Sequence, residues 1–262
     1  MGSAPGLPGR VAVVTGGTRG VGAGIARAFL RAGAEVVICA RRPPDRPVAA
    51  SGRHARFLPV ELRDACAVRE LDARVARERG RVDVLVNNAG GTPFRPLDAA
   101  GAEQHARVLD LNLTAPLTAS LAARAHMPPG GSVLMIGSVS GTRPSPGTAA
   151  YGAAKAALES LARSMAVEWA PAVRVNTLVL GMVGTEAARA HYGDADGMAA
   201  VARTVPAGRL AEPDEVGEAA VFLASERAAY ITGASLLMHG GGEWPAFLTA
   251  VRGAAHDAKG EP

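Results

Sequence analysis

Lysine is almost absent from this chain. The 262 residues include 28 basic ones, but only Lys155 and Lys259 are lysines, so arginine fills nearly every basic position. Aromatic residues are also scarce, at 4%, which argues against a surface that binds nucleic-acid bases by stacking and favours helices packed closely on a sheet. A chain that accepts arginine almost everywhere must have a specific reason to place a lysine at position 155.

Cysteines and long apolar runs are the next shortages. Cys39 and Cys66 are the only cysteines, and neither belongs to a CxxC or Cys/His cluster, which argues against a zinc site, any other metal site or a disulfide framework. We expect both to be buried free thiols in a reducing cytoplasm. No run reaches the roughly 18 apolar residues that cross a membrane. The start, MGSAPGLPGR, lacks the apolar core of a signal peptide, so we expect a cytoplasmic protein with no membrane partner.

The charge of the chain is mildly basic. The formal net charge is +4 and the isoelectric point is about 9.6, values that would be compatible with nucleic-acid binding. The arginines are scattered, however, with no run longer than Arg41-Arg42. We therefore expect no nucleic-acid partner, and an affinity for small anions such as phosphates explains the charge equally well.

Short apolar runs alternate with segments of helical periodicity. The runs are 10–17, 35–41, 82–90, 131–138, 173–180 and 234–241, and the helical segments are 21–34, 65–80, 103–127, 150–169 and 213–225. This alternation predicts an α/β protein with a doubly wound parallel sheet of about seven strands and helices on both faces. We expect a single domain over 1–244, with an irregular segment at about 182–207, and a loosely ordered tail over 245–262.

A glycine-rich turn, TGGTRGVG (15–22), separates the first predicted strand from the first helix. Gly16, Gly20 and Gly22 permit a tight turn, let backbone N–H groups approach a phosphate, and let the helix pack close to the strand. The helix N-terminus adds free N–H groups and a positive dipole end. Glycine is common in this chain, so a purely structural turn stays an alternative.

A series of motifs resembles the short-chain dehydrogenase/reductase family, from about residue 9 to residue 242. They are Thr15, Gly16, Gly20 and Gly22 for TGxxxGxG, Asn87 to Gly90 for NNAG, Asn112 in DLNLTAP, Ser138 placed 13 residues before Tyr151, Tyr151 and Lys155 for YxxxK, then VRVNTLVLG, Thr185 and YITG. All four asparagines of the chain (87, 88, 112 and 176) fall within them. The resemblance implies a Rossmann fold, an NAD(P)-dependent enzyme acting on CH–OH groups of small alcohols or carbonyl compounds, and a homotetramer.

The predicted catalytic residues are Asn112, Ser138, Tyr151 and Lys155. Reduction of a ketone needs an acid near the carbonyl oxygen, and a nearby cation lowers the pKa of a tyrosine from its usual value of about 10. Residues four apart share one face of a helix. The resemblance implies that Tyr151 is the general acid in reduction and the base in oxidation. It also implies that Lys155 lowers the Tyr151 pKa and binds the nicotinamide ribose, that Ser138 binds the carbonyl oxygen, and that Asn112 holds a relay water. The alternative is an ordinary helix pair and a turn serine.

The resemblance also assigns a set of cofactor-binding residues. They are Gly16, Thr18, Arg19, Gly20, Val21, Arg41, Glu61, Leu62, Asn88, Ala89, Gly90, Tyr151, Lys155, Gly181, Val183 and Thr185. Ala40 stands where NAD-dependent relatives carry an acidic residue, and Arg41 is suited to clasp a 2′-phosphate. We therefore expect NADP to be preferred, with NAD possible; the alternative is that Arg41 is a solvated loop residue.

The sequence departs from the family pattern at two places, and it does not identify the substrate. Leu180-Gly181 replaces the usual Pro-Gly, and His239 stands in place of an Asp, which we interpret as a structural substitution. The segment 182–207 is predicted to form the substrate loop and a lid, with His191 and Tyr192 either lining the pocket or exposed. Arg143 is a candidate partner for an acidic substrate group.

The leading hypothesis is an NADP-dependent secondary alcohol/ketone oxidoreductase. The alternatives are a 3-oxoacyl thioester reductase and a non-catalytic dinucleotide-binding regulator.

Overall fold

Seven parallel strands form the central sheet of the computed structural model, which describes residues 6–244. Their order across the sheet is β5-β2-β1-β6-β7-β8-β9, and β3 and β4 form a separate two-stranded hairpin. The strands are β1 (Val11–Thr15), β2 (Glu35–Ala40), β3 (Ala49–Ala50), β4 (Arg53–His54), β5 (Arg56–Pro59), β6 (Val84–Asn87), β7 (Gly131–Ser138), β8 (Val173–Leu180) and β9 (Ser235–Met238). The predicted tail at 245–262 lies outside the described residues.

Helices cover both faces of this sheet, as predicted. They are α1 (Gly20–Arg31), α2 (Ala65–Arg79), α3 (Ala102–Leu109), α4 (Ala115–Arg124), α5 (Ala149–Trp169), α6 (Glu186–Tyr192), α7 (Ala195–Thr204) and α8 (Pro213–Ala224). One buried apolar cluster joins α1 and α8 to the sheet, and a second joins α2, α4 and α5 to it. Among residues 6–244, no helix has the length and apolar character needed to cross a membrane.

The strands are apolar because both sides of the sheet are covered. Every residue of β1 is buried, which is typical of parallel strands packed between helical layers. Val14 in β1 lies beside Ile38 of β2 on one side and Val86 of β6 on the other. The chain order reverses at β1, and open α/β sheets bind ligands in the crevice outside the carboxyl ends of the strands at such a point.

The predicted helix at 103–127 is divided in the structure. It consists of α3 and α4, which are joined by a π-helical turn at Asp110–Thr114. Pro116 has no N–H to donate to the carbonyl of residue 112, so the α-helical hydrogen-bond pattern is interrupted there. The side chain of Asn112 instead donates to the carbonyl of Val108 at 2.9 Å, which stabilises the wider turn.

Three further features differ from expectation. The segment 182–207 is not irregular: it contains α6 and α7, whose N-termini are capped by the side chains of Thr185 and Asp194. The edge strand β5 and the β3–β4 hairpin were absent from the predicted apolar runs, since they are short and partly polar. Cys39 is buried as expected, whereas Cys66 is exposed on the first turn of α2.

Candidate active site

The glycine-rich turn lies at the carboxyl end of β1, at the reversal of strand order. Gly16 has a φ angle of +63° and Gly20 of +51°, left-handed values that favour glycine. A Cβ on Gly22 would lie 2.3 Å from the carbonyl oxygen of Gly16. The turn can therefore pack this closely against α1 only because glycine stands at position 22.

The first turn of α1 presents backbone N–H groups to an anion. Arg19 occupies the N-cap position without a side-chain capping hydrogen bond, and the first turn carries no acidic residue. Arg19 is exposed, and the neighbouring Thr18 and Val21 are half-buried. Free N–H groups at the positive end of a helix dipole suit phosphate oxygens. This segment therefore fits the pyrophosphate of a dinucleotide.

Asn88 fixes the glycine-rich turn from the next strand. Its side-chain amide donates to the carbonyls of Thr15 and Gly16 at 2.8 and 3.1 Å. The hydroxyl of Thr15 in turn accepts from the backbone N–H groups of Asn88 and Ala89, at 3.0 Å each. Both donor hydrogens of the Asn88 amide are thus used within the protein, so this side chain ties the glycine-rich turn to the loop after β6.

An exposed arginine and a fixed carboxylate mark the end of β2. Arg41 follows Ala40 and its side chain is 74% exposed; it lies 4.0 Å from the carboxylate of Glu61. Glu61 accepts two hydrogen bonds from the guanidinium of Arg63, at 3.0 and 2.9 Å, which lower its pKa to about 2. Leu62 is buried beside it. The Arg41 guanidinium is thus free to turn toward a second anion, while Glu61 stays ionised.

Asn112 lies fully buried in the π-helical turn. Its side-chain oxygen accepts from the N–H of Gly91 at 2.9 Å, and its amide donates to the carbonyl of Gly91 at 3.0 Å. A Cβ on Gly90 would lie 2.5 Å from that side-chain oxygen and 3.5 Å from Nζ of Lys155. The loop after β6 therefore brings Asn112 and Lys155 together at Gly90.

Lys155 and Tyr151 lie on the same face of α5, as their spacing predicts. Nζ of Lys155 is 5.5 Å from the centroid of the Tyr151 ring and donates to the carbonyl of Ile136 at 2.8 Å. The lysine is only 3% exposed, and burial lowers its pKa to about 8. The ammonium is therefore held between β7 and the tyrosine.

Ser138 ends β7 and faces Tyr151. Burial raises the pKa of Tyr151, and a hydrogen bond with the Ser138 side chain opposes that rise. The expected lowering of the Tyr151 pKa by Lys155 is therefore not what this structure shows, because burial of the phenol outweighs the other effects. The Ser138 hydroxyl also accepts from the backbone N–H of Ser140 at 3.2 Å, which fixes its position.

The segment after β8 closes the other side of the crevice. Gly184 and Ala211 pair through their backbones, and Val183 forms a parallel bridge with Ala211. A Cβ on Gly20 would lie 3.4 Å from the methyl group of Thr185, so Thr185 faces the glycine-rich turn. A Cβ on Gly181 would lie 2.8 Å from Cα of His239. His239 is thus a packing neighbour of this segment, in keeping with the structural interpretation.

Aromatic side chains connect α6 to the loop after β6. The ring of His191 lies 6.2 Å from that of Phe94 and 4.8 Å from that of Tyr192. The Tyr192 hydroxyl donates to the sulfur of Met182 at 3.3 Å. His191 is exposed and Tyr192 half-buried. Arg143, proposed as a partner for an acidic substrate group, forms an ion pair with Glu243 at 2.7 Å, so a substrate acid would have to compete with that carboxylate.

Sequence reasoning missed two contributors to this site. The carbonyl of Ile136, which anchors Lys155, belongs to an apolar strand, and nothing in the sequence distinguishes it from its neighbours. Phe94 lies where a Cβ on Gly147 would clash with its ring at 2.1 Å, and it belongs to a loop without a recognisable motif. The one sequence feature that could have drawn attention to Phe94 is the rarity of its residue type, since the chain contains only five phenylalanines.

Known proteins share both the motifs and the fold. Residues 16–243 match the family model described as Enoyl-(Acyl carrier protein) reductase. The cis-4-hydroxycyclohexanecarboxylate dehydrogenase of Sinomonas cyclohexanicum is 38% identical over 240 residues, covering 88% of this chain and 96% of the relative. This identity extends over nearly the whole described domain.

Two solved structures resemble the model closely. The ligand-free aldohexose dehydrogenase of Thermoplasma acidophilum gives a TM-score of 0.84 at 27% identity, covering 88% of this chain and 93% of that one. A short-chain dehydrogenase/reductase from Serratia marcescens gives 0.83 at 31% identity, covering 90% and 98%. Motifs, sheet order and relatives agree that this chain is an oxidoreductase with a nicotinamide nucleotide cofactor and belongs to the short-chain dehydrogenase/reductase family.

Proposed function

We propose that this protein is an NADP-dependent oxidoreductase that interconverts a secondary alcohol and a ketone, with Tyr151 as the acid and base. The observation that carries this proposal is that Asn112 and Lys155 meet beside Gly90, while Lys155 also stands over the ring of Tyr151. A protein that only bound a dinucleotide would have no need of a buried lysine beside a tyrosine, or of Ser138 facing that tyrosine.

The four side chains divide the proton chemistry among them. Ser138 donates a hydrogen bond to the carbonyl oxygen and holds it near the Tyr151 hydroxyl, which gives its proton as negative charge develops there. In the oxidation direction Tyr151 takes the proton back. The nicotinamide supplies or accepts the hydride. Lys155 stabilises the phenolate by its charge, and Asn112 orients the proton path behind Lys155.

The turn and loops around these side chains hold the cofactor in this proposal. Residues Gly16 to Val21 bind the pyrophosphate, and Glu61 with Leu62 lies at the adenine end. Ala89 and Gly90, with Asn88 orienting them, would hold the nicotinamide part of the cofactor together with Gly181, Val183 and Thr185. Lys155 and Tyr151 contact the nicotinamide ribose. Each of these positions borders the carboxyl edge of the sheet.

Arg41 is the basis for the preference for NADP. Its guanidinium is largely exposed and makes only a 4.0 Å ion pair, so it can bind a 2′-phosphate through its planar fork. Ala40 offers no carboxylate to the 2′-hydroxyl that NAD carries instead. The carboxylate of Glu61 is already engaged by two hydrogen bonds from Arg63.

The relatives support a secondary alcohol as substrate. The Sinomonas relative is named for a ring compound with a hydroxyl group, and the Thermoplasma protein is named for an aldohexose. A second candidate is a 3-oxoacyl thioester reductase, because the matched family model is described by an acyl-carrier substrate. Both reactions place a carbonyl oxygen between Ser138 and Tyr151.

We further propose one NAD(P)-binding domain over residues 1–244, with 182–207 as its substrate-binding part, and a homotetramer. The family match over 16–243 supports the domain. β9 is an edge strand of the sheet, and its Leu236 and Leu237 are 40% and 53% exposed. Leu121 of α4 and Val167 of α5 are exposed as well. Burial of these side chains between copies would remove apolar surface from water, and light scattering measures the assembly directly.

The direct test is a substrate panel that contains ketones, secondary alcohols and 3-oxoacyl thioesters. Turnover of each compound is followed by the absorbance of NADPH or NADH. We expect turnover of a simple secondary alcohol or ketone and a lower KM for NADPH than for NADH. Turnover of 3-oxoacyl thioesters alone would select the second candidate. Cofactor binding without turnover of any panel member would favour a dinucleotide-binding regulator and contradict the proposal.

A further inference from the structure

A cavity of about 330 Å³ lies between the amino-terminal parts of α3 and α5. Gly91 and Tyr151 contribute to its wall, but Ser138, Asn112 and Lys155 do not. A carbonyl group in this cavity would therefore lack the serine and lysine that the proposed reaction needs. The cavity adjoins the candidate active site without being its reaction chamber.

Cationic side chains line this cavity. Arg63, Arg95 and Arg107 belong to its wall, which also contains His105, and none of the described residues that line it is acidic. Arg63 is already engaged by Glu61. Arg95 donates only to the neutral side chain of Gln104, at 2.9 Å, and within residues 6–244 no hydrogen bond or ion pair of the Arg107 guanidinium is found. Two guanidinium charges thus border the cavity without a carboxylate partner.

The rest of the wall is mainly apolar, with polar side chains at Thr92, Gln104, Thr148 and Tyr151. It includes Pro93, Ala100, Val108, Leu111 and Ala150. A guanidinium binds a carboxylate through two parallel hydrogen bonds, and small-molecule pockets combine an apolar lining with a few polar groups that fix orientation. The lining therefore suits a molecule with one anionic end and a compact apolar body.

We propose that this cavity is a binding site for a small organic carboxylate, next to the reaction site and sharing the wall residue Tyr151 with it. The carboxylate pairs with Arg95 and Arg107, and the apolar body packs against Val108 and Leu111. Val108 and Gly91 both hydrogen-bond the side chain of Asn112. A ligand in the cavity therefore touches residues that hold the predicted catalytic asparagine in place.

Isothermal titration calorimetry on the full chain tests this site without requiring turnover. The protein is saturated with NADP⁺ and then titrated with cyclohexanecarboxylate, with neutral cyclohexanecarboxamide and with inorganic phosphate. We expect one carboxylate per chain, at least about tenfold weaker binding of the amide, and weaker binding of phosphate, which lacks an apolar body.

Substitutions locate the bound carboxylate. Arg107→Gln and Arg95→Gln should each weaken its binding about tenfold, and Arg107→Lys should weaken it less because the charge remains. Arg163→Gln, at an exposed arginine of α5 that does not line the cavity, is the matched control and should have no effect. Thermal unfolding checks that each variant is folded.

Three results would overturn the proposal. One is equal binding of carboxylate and amide. Another is binding that Arg107→Gln and Arg163→Gln leave equally intact. The third is a carboxylate heat signal that appears only without NADP⁺, since this would place the anion in the cofactor site.

Discussion

Lys155 and Asp72 are both buried ionisable residues, but they differ in their partners. Lys155, in α5, donates to the carbonyl of Ile136 and stands over the ring of Tyr151. Asp72, in α2, packs against the sheet, and its Oδ1 has no hydrogen-bond partner among the described residues. Burial lowers the pKa of Lys155 to about 8 and raises that of Asp72 to about 7. Burial thus shifts the pKa of both residues. Lys155 belongs to the candidate site because it contacts Ile136 and Tyr151, whereas the burial of Asp72 only lowers the stability of the fold.

Removal of the Tyr151 hydroxyl should have the largest effect. Tyr151→Phe deletes the proposed proton donor while keeping the ring that packs in α5, so kcat should fall about a thousandfold or more. Cofactor affinity, measured by NADPH fluorescence, should change little. Retention of wild-type turnover by this folded variant would remove Tyr151 from the mechanism.

Replacement of the buried lysine by arginine should have the next largest effect. Lys155→Arg keeps the charge, but a planar, larger guanidinium does not fit the space between Ile136 and Tyr151. We expect kcat to fall about a hundredfold, as measured by NADPH oxidation with a substrate found in the panel. Arg163→Lys, on the exposed face of the same helix, is the control. Equal turnover of both variants would mean that charge alone is required at position 155.

Neutralisation of Asp72 should stabilise the fold without changing turnover. Because its pKa is raised from 3.8 to about 7, the carboxyl stays protonated in the fold while the unfolded chain ionises. Its ionisation therefore destabilises the protein progressively between about pH 4 and 7, and fully above that range. The shift corresponds to roughly 4 kcal/mol. Asp72→Asn should recover about half, since a buried amide is itself incompletely paired.

Urea unfolding at two pH values measures the effect at Asp72. We expect the free energy of unfolding to rise by about 2 kcal/mol at about pH 8 and to lose this gain near about pH 4. Glu70→Gln, at an exposed position of the same helix, should show no such dependence. A drop in kcat on Asp72→Asn would show that Asp72 acts at the site and erase the contrast with Lys155.

Arg41 is an exposed charge, and its effect should be the smallest and the most selective. Arg41→Gln removes the proposed partner of the 2′-phosphate, so the KM for NADPH should rise about tenfold while that for NADH stays unchanged. Initial-rate measurements with both cofactors test this. Arg42→Gln is the neighbouring control. A parallel rise for both cofactors would place Arg41 elsewhere than at the 2′-position.

The sequence predicts the sheet and the Tyr151–Lys155 pair well, for physical reasons. Strands covered on both faces are largely apolar, as β1 is, and four-residue spacing places two side chains together wherever a helix forms. The proximity of Asn112 to Lys155 was expected only from the family resemblance, since it depends on a loop from a different strand.

Other features depend on contacts that local sequence does not encode. The Asn112 side chain is held not only within its own turn but also by hydrogen bonds with Gly91, which is 21 residues away. The helices within 182–207 are short, and their side-chain caps are visible in the sequence only once a helix is suspected. The unpartnered oxygen of Asp72 follows from the packing of α2, since its residue type alone predicts a solvent-exposed position.

The most direct test of the account is the pH dependence of alcohol oxidation in the wild type and in Lys155→Met, which keeps the side-chain length without the charge. Burial raises the pKa of Tyr151, and in the proposed mechanism the charge of Lys155 opposes that rise. We predict that the wild-type rate rises with pH through an inflection that reports ionisation of Tyr151, the proposed base. In Lys155→Met this inflection should move upward. An inflection at the same pH in both proteins would contradict the coupling of Lys155 to Tyr151.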